Sequence, residues 1–213
     1  DVEMFLEVPK SRYTPDDMIK LPFKGSPLWD KDIINIKDYR IFYHNVKHTV
    51  DVVTEVELIG WAEGCSDEDI LLLKTAALFH DSGYTVAYDN HEYHGTLIAR
   101  EMLPGYGYTT EQIEKICSII MSTKLPPKPN NLLEEIICDS DLDYLGRSDF
   151  IPVSNTLFEE LKAQDKMKSL NDWNKIQVKF ISGHQYFTKT ARSLREVNKQ
   201  LQIERIQSLI TDQ

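Results

Sequence analysis

Long apolar runs are missing from this chain, and stretches such as Ile70–Leu73 fall far short of the roughly 20 residues a bilayer-spanning helix needs. That excludes a helical membrane span from these residues, and no membrane partner is expected. Cysteine is scarce: Cys65, Cys117 and Cys138 are an odd number without CxxC spacing. A disulfide framework is excluded, and three reduced thiols in a cytoplasmic protein are expected. Alternating strand patterns, internal repeats and low-complexity tracts are absent as well. No secretory leader is visible, but the chain opens on Asp1 rather than Met, so a leader or upstream domain stays open. Positive charge is also in deficit. Against 34 Asp and Glu stand 24 Lys and Arg, a formal charge of −10 over 213 residues. A nucleic-acid groove binder, which neutralises phosphates with Lys and Arg, is excluded by that balance. Small phosphorylated ligands are not, because a bound metal ion can supply local positive charge.

What is present reads as helix after helix. Residues 1–40, punctuated by Pro9, Pro15, Pro22, Gly25 and Pro27, form an irregular segment with at most a helical turn over Asp16–Leu21. Residues 41–213 are expected to be one all-α, multi-helix bundle, with a site-bearing core at 43–146 and C-terminal helices over 150–213. A helix from about Tyr43 to Glu63 closes on Gly64, and Ser66 with Asp69 opens the next through Phe79. Another runs from about Asn90 to Leu103. Thr109 with Gln112 and Asn131 with Glu134 cap two more, ending near Thr123 and Gly146. The stretch Thr188–Gln213 reads as a surface helix packing one face, with a homodimer or partner contact as the alternative.

The six histidines carry the chemical signal. His44 and His48, four apart in YHNVKH, are expected on one helix face that continues to Asp51 and Glu55. Val52, Val56, Leu58 and Ile59 spread apolar side chains around the same helix, so the polar stripe should be buried and must be satisfied. Metal coordination satisfies it; so would solvent or hydrogen bonds. From Ile70 to Phe79 only Lys74 is charged, which marks a central core helix ending in His80-Asp81. Such a pair belongs on a pocket floor or against a buried ion. The loop SGYTVAYDN then leads to His91 and His94, three apart on one face, and IICDSDLDYLG sets Asp139, Asp141 and Asp143 at the end of an apolar helix. Each cluster alone has a bland explanation. Four together point to a metal site.

His48, then His80-Asp81, then a distant Asp after an apolar helix resembles the H…HD…D signature of the HD-domain metal-dependent phosphohydrolases. The resemblance spans about Tyr43 to Gly146 and rests on YHNVKHTVDV, ALFHDSGY, HEYHG and CDSDLDYLG. It implies an all-α HD/phosphodiesterase-like fold and the metal ligands His48, His80, Asp81 and Asp141. Asp141 is preferred because the family's usual Asp-Ala-Asp binds through its second carboxylate; Asp139 is the alternative. YHNVKHTVDV is also similar to a segment of class I cyclic-nucleotide phosphodiesterases, which implies His44 as general acid. HEYHG is similar to the H-x-x-x-G element that serves a second metal, here His91, with His94 beside it. Met121-Ser122-Thr123 replaces the HH pair of the HD-GYP branch, so cyclic-di-nucleotide cleavage is not expected.

Two imidazoles and two carboxylates favour an octahedral divalent ion, Mn, Fe, Co or Mg, over closed structural zinc. One or two such ions would lower the pKa of bound water toward about 7 and hydrolyse a phosphomonoester or phosphodiester, with a small, nucleotide-like substrate expected. Asp81 acts with His44 in that scheme, and Asp51 would orient His48 as an outer acceptor. Asp139, if not a ligand, would have a similar supporting role. Lys124 and Arg147, near helix ends converging on the site, are expected phosphate contacts. Tyr84, Tyr88 and Tyr93 are pocket candidates, and His184 reads as a hydrogen-bonded core histidine. Two other functions use the same ligands: a nucleotide-binding sensor without turnover, and a di-iron oxygenase built with His91 and His94.

Overall fold

The computed structural model describes residues 42–211, so the expected irregular segment 1–40 and the turn at Asp16–Leu21 lie outside it. Helix α1 (Val46–Ala62) begins where the Asn45 side chain accepts the Lys47 and His48 backbone N–H groups. It thus starts three residues later than the spacing predicts. His44 precedes the cap, and the expectation that His44 and His48 share a helix face is corrected: another element must aim His44. Helix α2 (Asp67–Phe79) opens on the Ser66–Asp69 capping box, and every residue from Leu72 to Phe79 is buried. Its one cation, Lys74, reaches out to Glu57 at 2.6 Å.

Helix α3 (His91–Met102) follows Asn90 in the left-handed region, and α4 (Thr110–Ser122) opens on the Thr109–Gln112 capping box. Helix α5 (Leu132–Asp141) is capped by Asn131 and stops at Asp141; the expected continuation to Gly146 is a separate 3-10 turn, Asp143–Gly146. Three further helices, α6 (Phe150–Ala163), α7 (Leu170–Gly183) and α8 (Lys189–Gln207), complete the all-α fold, with no strand among the described residues. None of these helices is long and apolar enough to cross a membrane.

Helix α2 lies at the centre, packed on α1 and α4, while α1 also packs on α5. Val53, Val56, Leu73, Ile116, Ile120 and Ile136 interlock in that main core, with all three cysteines free and buried. A smaller cluster, including Leu145, Phe150, Ile181 and Ile206, ties the C-terminal helices to the 3-10 turn. Burying such side chains at roughly 1.5–3 kcal/mol each is what holds the helix ends in place. Two glycines let α3 approach the end of α2. A Cβ on Gly83 would overlap the His91 carbonyl, and one on Gly95 would sit 2.7 Å from the Phe79 carbonyl oxygen. The glycine of HEYHG thus serves close packing, which brings His91 beside His80-Asp81.

Candidate metal centre

The donors come from the start of α1, the end of α2 and the end of α5. His48 Nε2 lies 3.0 Å from Asp141 Oδ1 and 3.3 Å from His80 Nε2. Asp81 Oδ2 faces the same two nitrogens at 3.4 and 3.2 Å. Neighbouring ligands around an ion with bonds of about 2.1 Å stand about 3.0–3.4 Å apart, which suits one ion shared by His48, His80 and Asp141; Asp81 meets that group through the two imidazoles. Asp81 Oδ2 is buried without a hydrogen-bond partner, a costly position for a carboxylate that a cation would relieve. His80 donates from Nδ1 to the Ala77 carbonyl at 2.7 Å, which turns its Nε2 to the cluster. Burial opposes ionisation of Asp81 and Asp141, but the facing imidazoles outweigh it and hold both carboxyls well below the usual range. Donor chemistry, spacing and the orphaned oxygen all fit a divalent cation.

His44 is aimed from α6. The Glu160 side chain is fully buried, and its Oε2 accepts three successive backbone N–H groups, from Phe42, Tyr43 and His44, at 2.9, 2.8 and 3.1 Å. Its Oε1 accepts His44 Nδ1 at 2.5 Å and the Tyr88 hydroxyl at 3.1 Å. Burial disfavours the His44 imidazolium, yet the Asp81 charge and the Glu160 bond outweigh burial and raise its pKa. With Nδ1 committed, the second proton sits on Nε2, 3.2 Å from the Tyr84 hydroxyl. Tyr84 lies between His44 and His91, its ring centroid 4.4 and 4.0 Å from theirs.

The HD-domain family model matches residues 45–145, the stretch that carries all four donors. That stretch, just under half of the chain, is similar to the HD domain. Residues 42–44, which include His44, and all of α6–α8 lie outside the matched stretch. A crystal structure of a predicted HD superfamily hydrolase from an uncultured Thermotogales bacterium superposes with a TM-score of 0.53. It covers 84% of this chain and 89% of its own at 22% identity, a likeness of fold. An uncharacterized protein of Clostridium beijerinckii is 36% identical over 85 residues, 38% of this chain. The chain spans about half the length of that relative, 52%.

Around the HD donors the other expected residues divide. His91 Nε2 stands 3.6 Å from the outer oxygen of Asp81 and 3.5 Å from Glu92, its Nδ1 turned to the Tyr88 carbonyl. His94 is not brought there; its ring neighbour is Tyr93, 52% exposed and off the cavity wall. Tyr84, Tyr88 and Lys124 do line the cavity beside the donors, with Lys124 Nζ 3.0 Å from Asn90 Oδ1. Asp51 does not orient His48: Lys47 and Arg147 share its Oδ2 at 2.7 and 2.9 Å. Arg147 lines a second, smaller cavity with His48 and Asp141, and its guanidinium is paired on both sides, with Asp51 and Asp149, rather than free toward a phosphate. Asp139 turns away from the donors and accepts the Phe187 and Thr188 backbone N–H groups and the Thr188 hydroxyl, fixing the start of α8. His184 has no hydrogen-bond partner on either ring nitrogen; it packs edge-on to Tyr186, and burial drops its pKa to about 4.

Two residues at the site carried no motif. Glu160 sits in FEELKA, where nothing distinguishes it from its neighbour Glu159. Lys166 follows the helix end, pairs with Asp89 at 2.7 Å and lies over the Tyr88 ring at 4.5 Å.

Proposed function

We propose that this chain is a metal-dependent phosphohydrolase acting on a phosphomonoester or phosphodiester, with His48, His80, Asp81 and Asp141 holding the ion. The observation that carries the reading is the convergence of these four side chains, with the buried Asp81 Oδ2 left unpartnered. A bound divalent ion supplies Lewis-acid charge to the phosphoryl oxygens and acidity to water. The residues around it supply position and a proton. His44 donates from Nε2 to the leaving oxygen as the P–O bond breaks, and Glu160 holds the imidazole in that orientation. Lys124 and Lys166 offer positive charge to the substrate from the cavity wall. A nucleotide, the substrate expected from the motifs, is one member of this class. A second ion beside the first would draw on the outer oxygen of Asp81 and on His91.

The test is a panel of nucleotides and simple phosphoesters with Mn, Mg, Fe, Co and Ni added separately. Wild type should hydrolyse at least one ester with one ion, and Asp81→Ala should abolish that activity. Equal rates in the two proteins, or no turnover with any ion, would overturn the reading.

A further inference from the structure

The cavity beside the donor atoms has a volume of about 610 Å³. That is well inside the range of roughly 300–1,000 Å³ for small-molecule sites and far more than inorganic phosphate fills. Its lining combines His44, Asp81 and Asp141 with a group of large apolar side chains. Helices α6 and α7 contribute Leu157, Leu161, Trp173, Ile176 and Phe180, and the loop after α4 adds Leu125. Leu125, Ile176 and Phe180 are 53, 49 and 37% exposed, so large apolar side chains stand open in the cavity lining. Apolar surface gathered this way marks ligand contact.

Polar groups at that end are already committed to one another. Trp173 Nε1 donates to Ser154 Oγ at 3.2 Å, Ser154 Oγ donates to Gln177 Oε1, and Gln177 Nε2 reaches Asn174 Oδ1 at 3.4 Å. A nucleobase edge or sugar hydroxyl pressed against the apolar side chains of α6 and α7 would lose water and gain no partner from them. An alkyl or aryl group would only gain.

We infer that the cavity takes phosphomonoesters of an apolar alcohol, with the phosphate at the metal end and the alkyl or aryl group along α6 and α7. This rests on the phosphohydrolase reading and narrows its substrate. Hydrolysis breaks the P–O bond to the alcohol, transfers the oxygen of water to phosphorus and returns a proton to the alcohol oxygen. Alcohol and inorganic phosphate are the products.

The experiment has two arms. In the first, kcat/KM is measured for linear alkyl monophosphates from ethyl to octyl, beside nucleoside monophosphates, with the ion that supports most activity. Burial of each methylene predicts up to about a fourfold gain until the wall is filled. In the second, calorimetry compares ethylphosphonate with octylphosphonate, which bind without turnover; octylphosphonate should bind more tightly and with a more negative heat-capacity change. Phe180→Ser and Ile176→Asp should flatten the chain-length dependence in both arms, with folding checked by Tm. Hydrolysis without chain-length dependence, or with a nucleoside monophosphate preferred, overturns the inference and leaves the phosphohydrolase reading standing. No hydrolysis of any ester, with phosphonates still graded by length, overturns that reading and supports the apolar site. Phosphonates bound without regard to length overturn the inference outright.

Discussion

Replacing Glu160 by Gln tests how the chain moves a proton. Three backbone N–H groups converge on Oε2, so the amide oxygen of Gln must take that position to satisfy them. The amide nitrogen then faces His44 Nδ1, where the wild-type carboxylate oxygen accepts a proton. A donor meeting a donor is unfavourable, so His44 must give up its Nδ1 proton and become neutral. Neutral imidazole still bears hydrogen on Nε2 but is a far weaker acid. The loss expected is that of a positioned general acid, about 10²–10⁴-fold in kcat. Loss of the charge-assisted pair costs about 1.5–3 kcal/mol of stability, so folding is checked by urea denaturation before rates are compared. The decisive assay uses leaving groups of different basicity. An alkoxide cannot depart without a proton, whereas p-nitrophenolate can. Glu160→Gln should therefore cripple alkyl phosphate hydrolysis and leave p-nitrophenyl phosphate far less affected, with bound metal unchanged. Equal losses on both substrates, or no loss on either, would refute the role given to His44 and Glu160.

Three other variants separate the ligand set from its supports. Asp141→Asn should lower ion affinity by at least tenfold in a metal titration, whereas Asp139→Asn should retain the ion and cost about 1–3 kcal/mol through the α8 cap. The opposite pattern would exchange their roles. Gly95→Ala should cost about 1–3 kcal/mol by urea unfolding, because the new methyl meets the Phe79 carbonyl; a neutral result would mean that α3 has slack. For His184 the folded pKa lies below the unfolded one, so stability is fully present above about pH 6.5 and is lost as pH falls toward 4. That loss is up to about 3 kcal/mol. His184→Phe should flatten the acid limb of Tm against pH, and an unchanged limb would remove His184 as its cause.

Helix starts were the most legible part of the chain, since Ser66, Thr109 and Asn131 act through bonds three residues away. The position of His44 was not legible. Asn45 caps α1 just after it, and only then does a buried carboxylate more than a hundred residues later fix its ring. The donors were readable for the opposite reason: each lies at a helix end that apolar spacing already directs into the core. Asp51 and Arg147 fit the helix pattern equally well, but each found a nearer opposite charge. For charged side chains, spacing restricts direction and leaves the choice of partner to tertiary packing.

The match to the HD domain ends at residue 145, and this boundary bears on substrate choice. Every donor falls inside it, at the start of α1, just past the end of α2 and at the end of α5. Glu160, which orients His44, and Trp173, Ile176 and Phe180, which form the apolar wall, all fall beyond it. On the proposed reading, ion binding and the alcohol half of the substrate thus draw on different stretches of chain. A family likeness confined to the first can be strong while saying nothing about the second. Substitutions on the cavity face of α7 should therefore shift preference among phosphoesters while leaving ion affinity unchanged, since the hydrogen bonds and ion pairs of the four side chains involve no α7 residue. Coupled changes in ion affinity and substrate preference would mean that the two stretches act as one site.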